Sequence, residues 1–282
     1  MILRLLTPFI LAGFLLLNPQ WGFSQTNPTA DINIHPKVNL YNPNRGYQRP
    51  VMTFWEDLGF RVGSDFMSRY VWNGIAESLG PVWQPSGAIE YKGFGISVQA
   101  NFVLNDEPNQ GQFNEVDFTG YWGGKFANLE IDVSFTYSIY PNDNPASLNF
   151  SPNCAAGNFH LAYPVGPVNL FGDVSVWVYN PLGGFFADFG LGYQRDLPLN
   201  FSITTAVLLG FSNGLYNITQ VGVDVGATAN LFNYNLAFPW SPIKDLIITP
   251  EFNVSALLDR QLRAGVRFPT NVWGNLQVSY NF

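Results

Sequence analysis

From Phe60 to the last residue, apolar and polar positions alternate in runs separated by polar turns. The run at 128–140 is the cleanest. Leu129, Ile131, Val133, Phe135, Tyr137 and Ile139 fall on one face; Glu130, Asp132, Ser134, Thr136 and Ser138 fall on the other. A period of two is that of a β-strand with one apolar and one polar side. Eleven further segments read the same way, at about 60–72, 82–92, 94–105, 113–123, 158–163, 168–180, 185–195, 199–211, 217–231, 246–258 and 271–282. Most match the ~9–11 residues with which a tilted strand crosses a bilayer. A single alternating strand says little, but twelve in series predict a closed sheet. Backbone groups in lipid must all be paired, and only closure pairs them.

The expected fold is therefore all-β: a transmembrane antiparallel up-and-down β-barrel of about 12 strands. The stretch 233–245, which contains Pro239 and Pro242, leaves room for fourteen. An even count puts both barrel ends on the periplasmic side and the long stretches 141–157 and 259–270 outside. A soluble β-sandwich also alternates, but its wet face would carry more charge. The last segment ends on Tyr280 and Phe282, an aromatic close typical of an outer-membrane strand that seals its barrel and engages the assembly machinery.

Composition supports this picture. The chain has 282 residues, 47% hydrophobic and only 12% charged, against about a quarter charged in soluble domains. Aromatics make up 16%, which suits a lipid-facing band with aromatic girdles. Arg4, the apolar run 5–17 and small residues at Gly22 and Ser24 read as a secretory signal cleaved after Ser24. The expected organisation is a signal at 1–24, a periplasmic segment at 25–57 and a barrel at 58–282. This places the protein in the outer membrane of a Gram-negative cell, in contact with lipid and as a monomer. A net charge of −7 argues against a nucleic-acid partner. Cys154 has no intrachain partner and sits in a polar stretch, where it reads as an incidental loop thiol. No metal site and no cofactor is expected.

Charge falls on the faces opposite the apolar ones. The expected lumen carries Asp65, Glu90, Glu115, Asp117, Glu130, Asp132, Asp173, Asp188, Asp224 and Glu251, with Arg61 and Arg69 as bases. An acidic lumen concentrates cations and repels anions. A turn at 123–127 would set Glu115 and Asp117 across from Asp132 and Glu130. Like charges directly opposite are destabilising. Arg61 or Arg69, a bound cation or protonation would have to relieve them, as a bracing network or as a transport site. For catalysis the signals are thin. Ser212-Asn213-Gly214 has no histidine shortly before it, and the histidines are His35 and His160. No activated nucleophile can be assembled.

Residues 63–105 resemble the TorF-like porin family of Bacteroidetes. The likeness rests on the run from Ser68 through Arg69, Tyr70, Val71, Trp72, Asn73 and Gly74 to Ile75. It continues through Pro81-Val82-Trp83-Gln84-Pro85 and Tyr91-Lys92-Gly93-Phe94-Gly95. The family often has Arg where Asn73 stands, and Asp-Tyr where Asp65-Phe66 stands. The resemblance implies a porin-like barrel and carries over no site residues. The expected function is passive diffusion of small hydrophilic solutes through an acidic, cation-preferring lumen. The alternatives are a closed barrel that binds a partner and, less favoured, a lipid-modifying enzyme.

Overall fold

The computed structural model describes residues 58–106, 110–141 and 153–282. The signal and its cleavage point, the segment 25–57 and His35 lie outside the described residues. Strands follow one another as β1 (Leu58–Met67), β2 (Tyr70–Trp72), β3 (Ile75–Ser78), β4 (Val82–Tyr91), β5 (Phe94–Val103), β6 (Phe113–Phe126) and β7 (Leu129–Ile139). Then come β8 (Cys154–Val165), β9 (Val168–Tyr179), β10 (Phe185–Leu197), β11 (Phe201–Ser212), β12 (Thr228–Ala237), β13 (Trp240–Ile243), β14 (Leu246–Leu257) and β15 (Thr270–Asn281).

Twelve of these strands form one antiparallel ring. Neighbours in sequence pair from β4 round to β12, β14 and β15, and β15 pairs back onto β1. The seam runs from Arg61 opposite Asn281 to Met67 opposite Asn275. The short β13 adds onto β11 and β14 at one rim. Both ends of the ring, Leu58 and Asn281, lie at that same rim, called proximal below; the other is distal. The stretch 233–245 thus holds the end of β12 and the single short β13, so the barrel has twelve strands, not fourteen.

The faces are inverted relative to a soluble protein. Phe94 and Ile96 are each 64% exposed on the outside, whereas Gln84, Asn101, Thr249, Asn253 and Ser255 are buried inside. Outward aromatics gather in two bands. Near the distal rim, Phe66, Trp83, Phe102 and Phe113 stack in register across β1, β4, β5 and β6. Toward the proximal rim, Phe94 packs on Trp122, Phe201 on Trp240 and Tyr280 on Phe282. Along β5 the bands are eight residues apart, about 26 Å of strand, which at a tilt of ~40° spans roughly 20 Å of height, within the apolar band of an outer-membrane barrel. The proximal turn at Lys92 and Gly93 has φ of 51° and 85°, the left-handed pair that a two-residue hairpin requires.

Two segments depart from the alternating pattern. The run 60–72 is not one strand: β1 stops at Met67, and 70–78 turns back as the separate hairpin β2–β3. The run 217–231 is not a strand over most of its length. Helix α1 (Gly214–Tyr216) and a π-helical turn (Asn217–Val221) occupy its start, and β12 begins only at Thr228. The valines of this run alternate, but Asn213 caps the helix by accepting from the Tyr216 N–H at 2.9 Å. Asn217 then donates to the carbonyls of Val225 and Gly226, so these backbone groups are satisfied without a ladder.

Before β15 sits helix α2 (Arg260–Gly265). Asp259 caps it, accepting from the N–H groups of Leu262 at 3.0 Å and Gln261 at 2.7 Å. These bonds, Leu262 first, hold its carboxyl below the usual carboxylate range. A depressed value stabilises the cap above the unfolded value, ~4, and loses that stability as pH falls through the folded one. Amide exchange at Gln261 and Leu262 is therefore expected to accelerate on acidification below about pH 4, and at all pH values in Asp259→Ala.

Packing inside the ring depends on small residues at close approaches. A Cβ on Gly190 would meet the Phe171 ring and the Val207 carbonyl oxygen, both at 2.4 Å. A Cβ on Gly120 would meet nothing within 4 Å. Gly190→Ala is expected to destabilise the barrel by roughly 1–3 kcal/mol, the usual cost of overpacking, while Gly120→Ala leaves it unchanged. Urea unfolding followed by tryptophan fluorescence distinguishes the two.

Candidate functional site

The interior of the ring is a hydrophilic lumen, and its residues sort by depth. At the proximal rim, Lys125 Nζ pairs with Glu130 Oε1 at 3.0 Å. Arg61 and Glu90 face inward on β1 and β4. Deeper, four residues on adjacent strands form a belt. Asp132 on β7 stands opposite His160 on β8, His160 opposite Asp173 on β9, and Asp173 opposite Asp188 on β10. His160 Nδ1 lies 2.7 Å from Asp173 Oδ1. Asp188 is buried and its carboxyl group lies against that of Asp173. On the opposite wall, Asp65 and Glu251 face inward from β1 and β14. Asn235 Nδ2 donates to Glu251 Oε2 at 3.4 Å.

Between the charges the wall is mostly neutral and polar. Gln99 donates to Gln84, Gln84 to Asn101 and Asn101 to Asn114 across β4, β5 and the start of β6. Thr119 bonds Thr136, and Ser175 donates to Asn158. Such cross-strand ladders satisfy buried polar groups inside the ring.

The distal half is partly filled. The tip of hairpin β2–β3 is Asn73-Gly74, with φ of 45° and 82°. It rests on the β12, β14 and β15 wall: a Cβ on Gly74 would strike Leu231 and Leu257. Asn271 Nδ2 donates to the Gly74 carbonyl at 2.9 Å, and Asn73 Nδ2 donates to the Tyr216 hydroxyl at 2.9 Å. Trp72 meets Trp177 edge-on at 5.7 Å, and Tyr216 packs on Trp72, Trp177 and Phe186. Burial pushes the Tyr216 phenol well above its ordinary value, so it stays protonated.

Between this hairpin and the β4–β9 wall lies a cavity lined by Tyr70, Trp72, Glu115, Asp117, Asn158 and Trp177 among others. Tyr70 donates its hydroxyl proton to Glu115 Oε2 at 2.9 Å.

Several expected placements are corrected. Glu115 and Asp117 do not face Asp132 and Glu130. β6 runs on to Phe126, so Asp117 pairs with Ser138, Asp132 with Gly123 and Glu130 with Lys125. Six residues of strand, roughly 20 Å, separate the two acidic levels. The expected turn at 123–127 came too early, because Gly123 and Gly124 continue the strand. Lys125, not Arg61 or Arg69, neutralises Glu130. Asp224 is exposed outside any strand. Arg69 sits at the distal mouth, where its Nη1 donates to Asn271 Oδ1 at 3.0 Å and its guanidinium lies over Phe268. Cys154 begins β8 and is half-buried beside the Tyr140 hydroxyl at 3.8 Å, so it is no loop thiol. Ser212 donates its hydroxyl to Asn217 at 2.6 Å, a structural bond.

The hairpin and its aromatic partners escaped the alternating pattern. Asn73-Gly74 was the signal that could have revealed the hairpin, since this pair favours the left-handed turn. The meeting of Trp72, Trp177 and Tyr216 is tertiary and leaves no mark in any one segment.

A closed twelve-stranded sheet, apolar outside and hydrophilic within, defines a porin-type transmembrane barrel. No protein-family model and no curated protein sequence matches the chain. Among solved structures it is similar to the KdgM porin, at 10% identity and a TM-score of 0.47, over 79% of this chain and 99% of that one. It is also similar to the NanC porin, at 11% identity and 0.44, over 79% and 98%. A third similar structure is an outer-membrane channel from Pseudomonas putida F1, at 12% identity and 0.45, over 80% and 94%. So distant a likeness assigns neither solute nor selectivity.

Removing the Tyr216 hydroxyl leaves the buried Asn73 amide without its acceptor, a loss of about 1–3 kcal/mol. Tyr216→Phe is expected to loosen the hairpin and Tyr216→Ala to release it. Limited trypsin digestion reads this as faster cleavage after Arg69, in the order wild type, Phe, Ala.

Proposed function

We propose that the chain forms an outer-membrane channel for small hydrophilic solutes, with a preference for cations. The distal rim faces the cell exterior and the proximal rim faces the periplasm. The observation that carries this reading is the charge of the lumen. Eight carboxylates, from Asp65, Glu90, Glu115, Asp117, Asp132, Asp173, Asp188 and Glu251, face inward, and the inward base Arg61 sits near the proximal rim. A low-dielectric wall around such a lumen focuses a negative potential into it. Cations are drawn in, anions are kept out, and the neutral amides and hydroxyls between levels offer weak, multiple contacts that let solutes leave.

Within this reading the belt of Asp132, His160, Asp173 and Asp188 is the selecting level. It replaces the quartet expected from sequence. It spans four adjacent strands, and Asp188 lies against Asp173. Tyr280 and Phe282 seal the seam at the proximal rim, where the Phe282 N–H donates to the Phe60 carbonyl at 2.9 Å. That strand end is the element the assembly machinery would engage, and a single ring suffices as the working unit.

A second reading is a closed barrel that binds a ligand at the distal mouth. The hairpin and the Trp72, Trp177 and Tyr216 cluster favour it, because they occupy part of the mouth.

Purified protein in a planar bilayer under a KCl gradient separates the two. Steady conductance with a cation-selective reversal potential is expected. The double variant Asp173→Asn, Asp188→Asn should lower the cation-to-anion permeability ratio by roughly a factor of two or more while conductance persists. Silence at every voltage would overturn the channel and leave the binding reading standing.

A further inference from the structure

The distal cavity joins three kinds of surface seldom found together. Its floor is aromatic, with Trp72 and Trp177 edge to face. Its wall is a run of amides and hydroxyls, from Gln84, Gln99, Asn101, Asn158 and Ser175. Its one charged element is the pair Glu115 and Asp117, spaced i, i+2 on β6 and so on one face. No Lys, Arg or His lines it among the described residues. The Tyr70 hydroxyl holds one oxygen of Glu115. Asp117 Oδ1 is buried and has no hydrogen-bond partner among the described residues. A buried carboxylate oxygen without a donor is costly, and that cost falls when a ligand brings one.

We infer that this cavity binds a small polyhydroxylated ammonium, of the amino-sugar class, before it passes the belt. The reasoning is chemical. An ammonium group supplies donors and a positive charge to Glu115 and Asp117. Ring C–H faces and the cation both favour indole faces. Hydroxyls exchange hydrogen bonds with the amide wall. A neutral sugar could give the Asp117 oxygen a hydroxyl donor but no counter-charge to the pair, and an anionic sugar would meet two carboxylates with no base among the lining residues to answer it. The hairpin shapes the site: its tip rests on the β12, β14 and β15 wall, while Tyr70 reaches Glu115 on β6 and Trp72 meets Trp177 on β9.

This inference rests on the channel reading in that the cavity must be reached by solutes. Its test reads binding, not passage. Titration calorimetry of the full barrel in detergent compares glucosamine with glucose, which differ by the ammonium in place of one hydroxyl. Glucosamine is expected to bind about tenfold or more tightly, and Glu115→Gln with Asp117→Asn should abolish that preference while the protein keeps its fold. Should the double variant not fold, Asp117→Asn alone makes the same comparison, since it is isosteric and Oδ1 has no described partner to lose. Equal affinity for the two sugars, no binding of either, or a glucosamine preference that survives the substitutions would each overturn the site. A barrel that conducts cations yet shows no preference sinks the site and spares the channel. One that binds glucosamine but conducts nothing does the reverse.

Discussion

Pairing of backbone hydrogen-bond groups is the constraint on which this structure depends. A sheet whose outer face is apolar enough to meet lipid has no water there to satisfy an open edge. The chain answers with the β1–β15 seam, which joins the start of the described barrel to its end. Closure then dictates the rest. Alternation sends every second side chain inward, so an apolar exterior forces a separate choice for the lumen. Here that choice is amides, hydroxyls and carboxylates. The buried interior is therefore the polar part of the molecule, and its stability comes from ladders of hydrogen bonds as well as from packing.

Such an interior is demanding where charge is concerned. Carboxylates on paired positions, such as Asp173 and Asp188, repel one another inside a poorly screened ring. The structure relieves this unevenly. His160 meets Asp173, and Lys125 meets Glu130 at the rim. Asp188 and one oxygen of Asp117 are left without such partners among the described residues. A protein that only needed bracing would gain by replacing these groups with neutral residues of similar size. Their presence accords with the proposed channel, in which solutes would supply the counter-charge.

The strands were legible because two opposed environments act on every residue of them. Phe94 to Phe102 alternate since one face meets lipid and the next the lumen, and that recurs round the ring. Register was less legible. Glycines carry no face, so Gly123 and Gly124 looked like a turn when they were strand, and the carboxylate levels were misjudged by six positions. The valine run at 221–225 shows the converse: alternation without a strand, because the cap at Asn213 and the bonds of Asn217 satisfied the backbone locally. The resemblance to TorF-like porins drew on Ser68 to Ile75, and that stretch folds into the mouth instead of crossing the membrane. What the alternating pattern could not show was contact between elements. Asn73 with Tyr216, or Trp72 with Trp177, joins segments more than a hundred residues apart.

The position of the hairpin links the lumen's two walls. The inward face of β15, from Asn271 to Asn281, carries no charge, and Leu231 and Leu257 add apolar surface beside it. A hairpin bearing Val71 and Trp72 can bury itself there without stranding an ion. Toward β6 the hairpin presents a polar group instead: the Tyr70 hydroxyl donates to Glu115 Oε2 at 2.9 Å, where an apolar side chain would leave the carboxylate desolvated and unpaired. The asymmetry of charge around the ring, visible along the strands, is thus matched by the two faces of the hairpin.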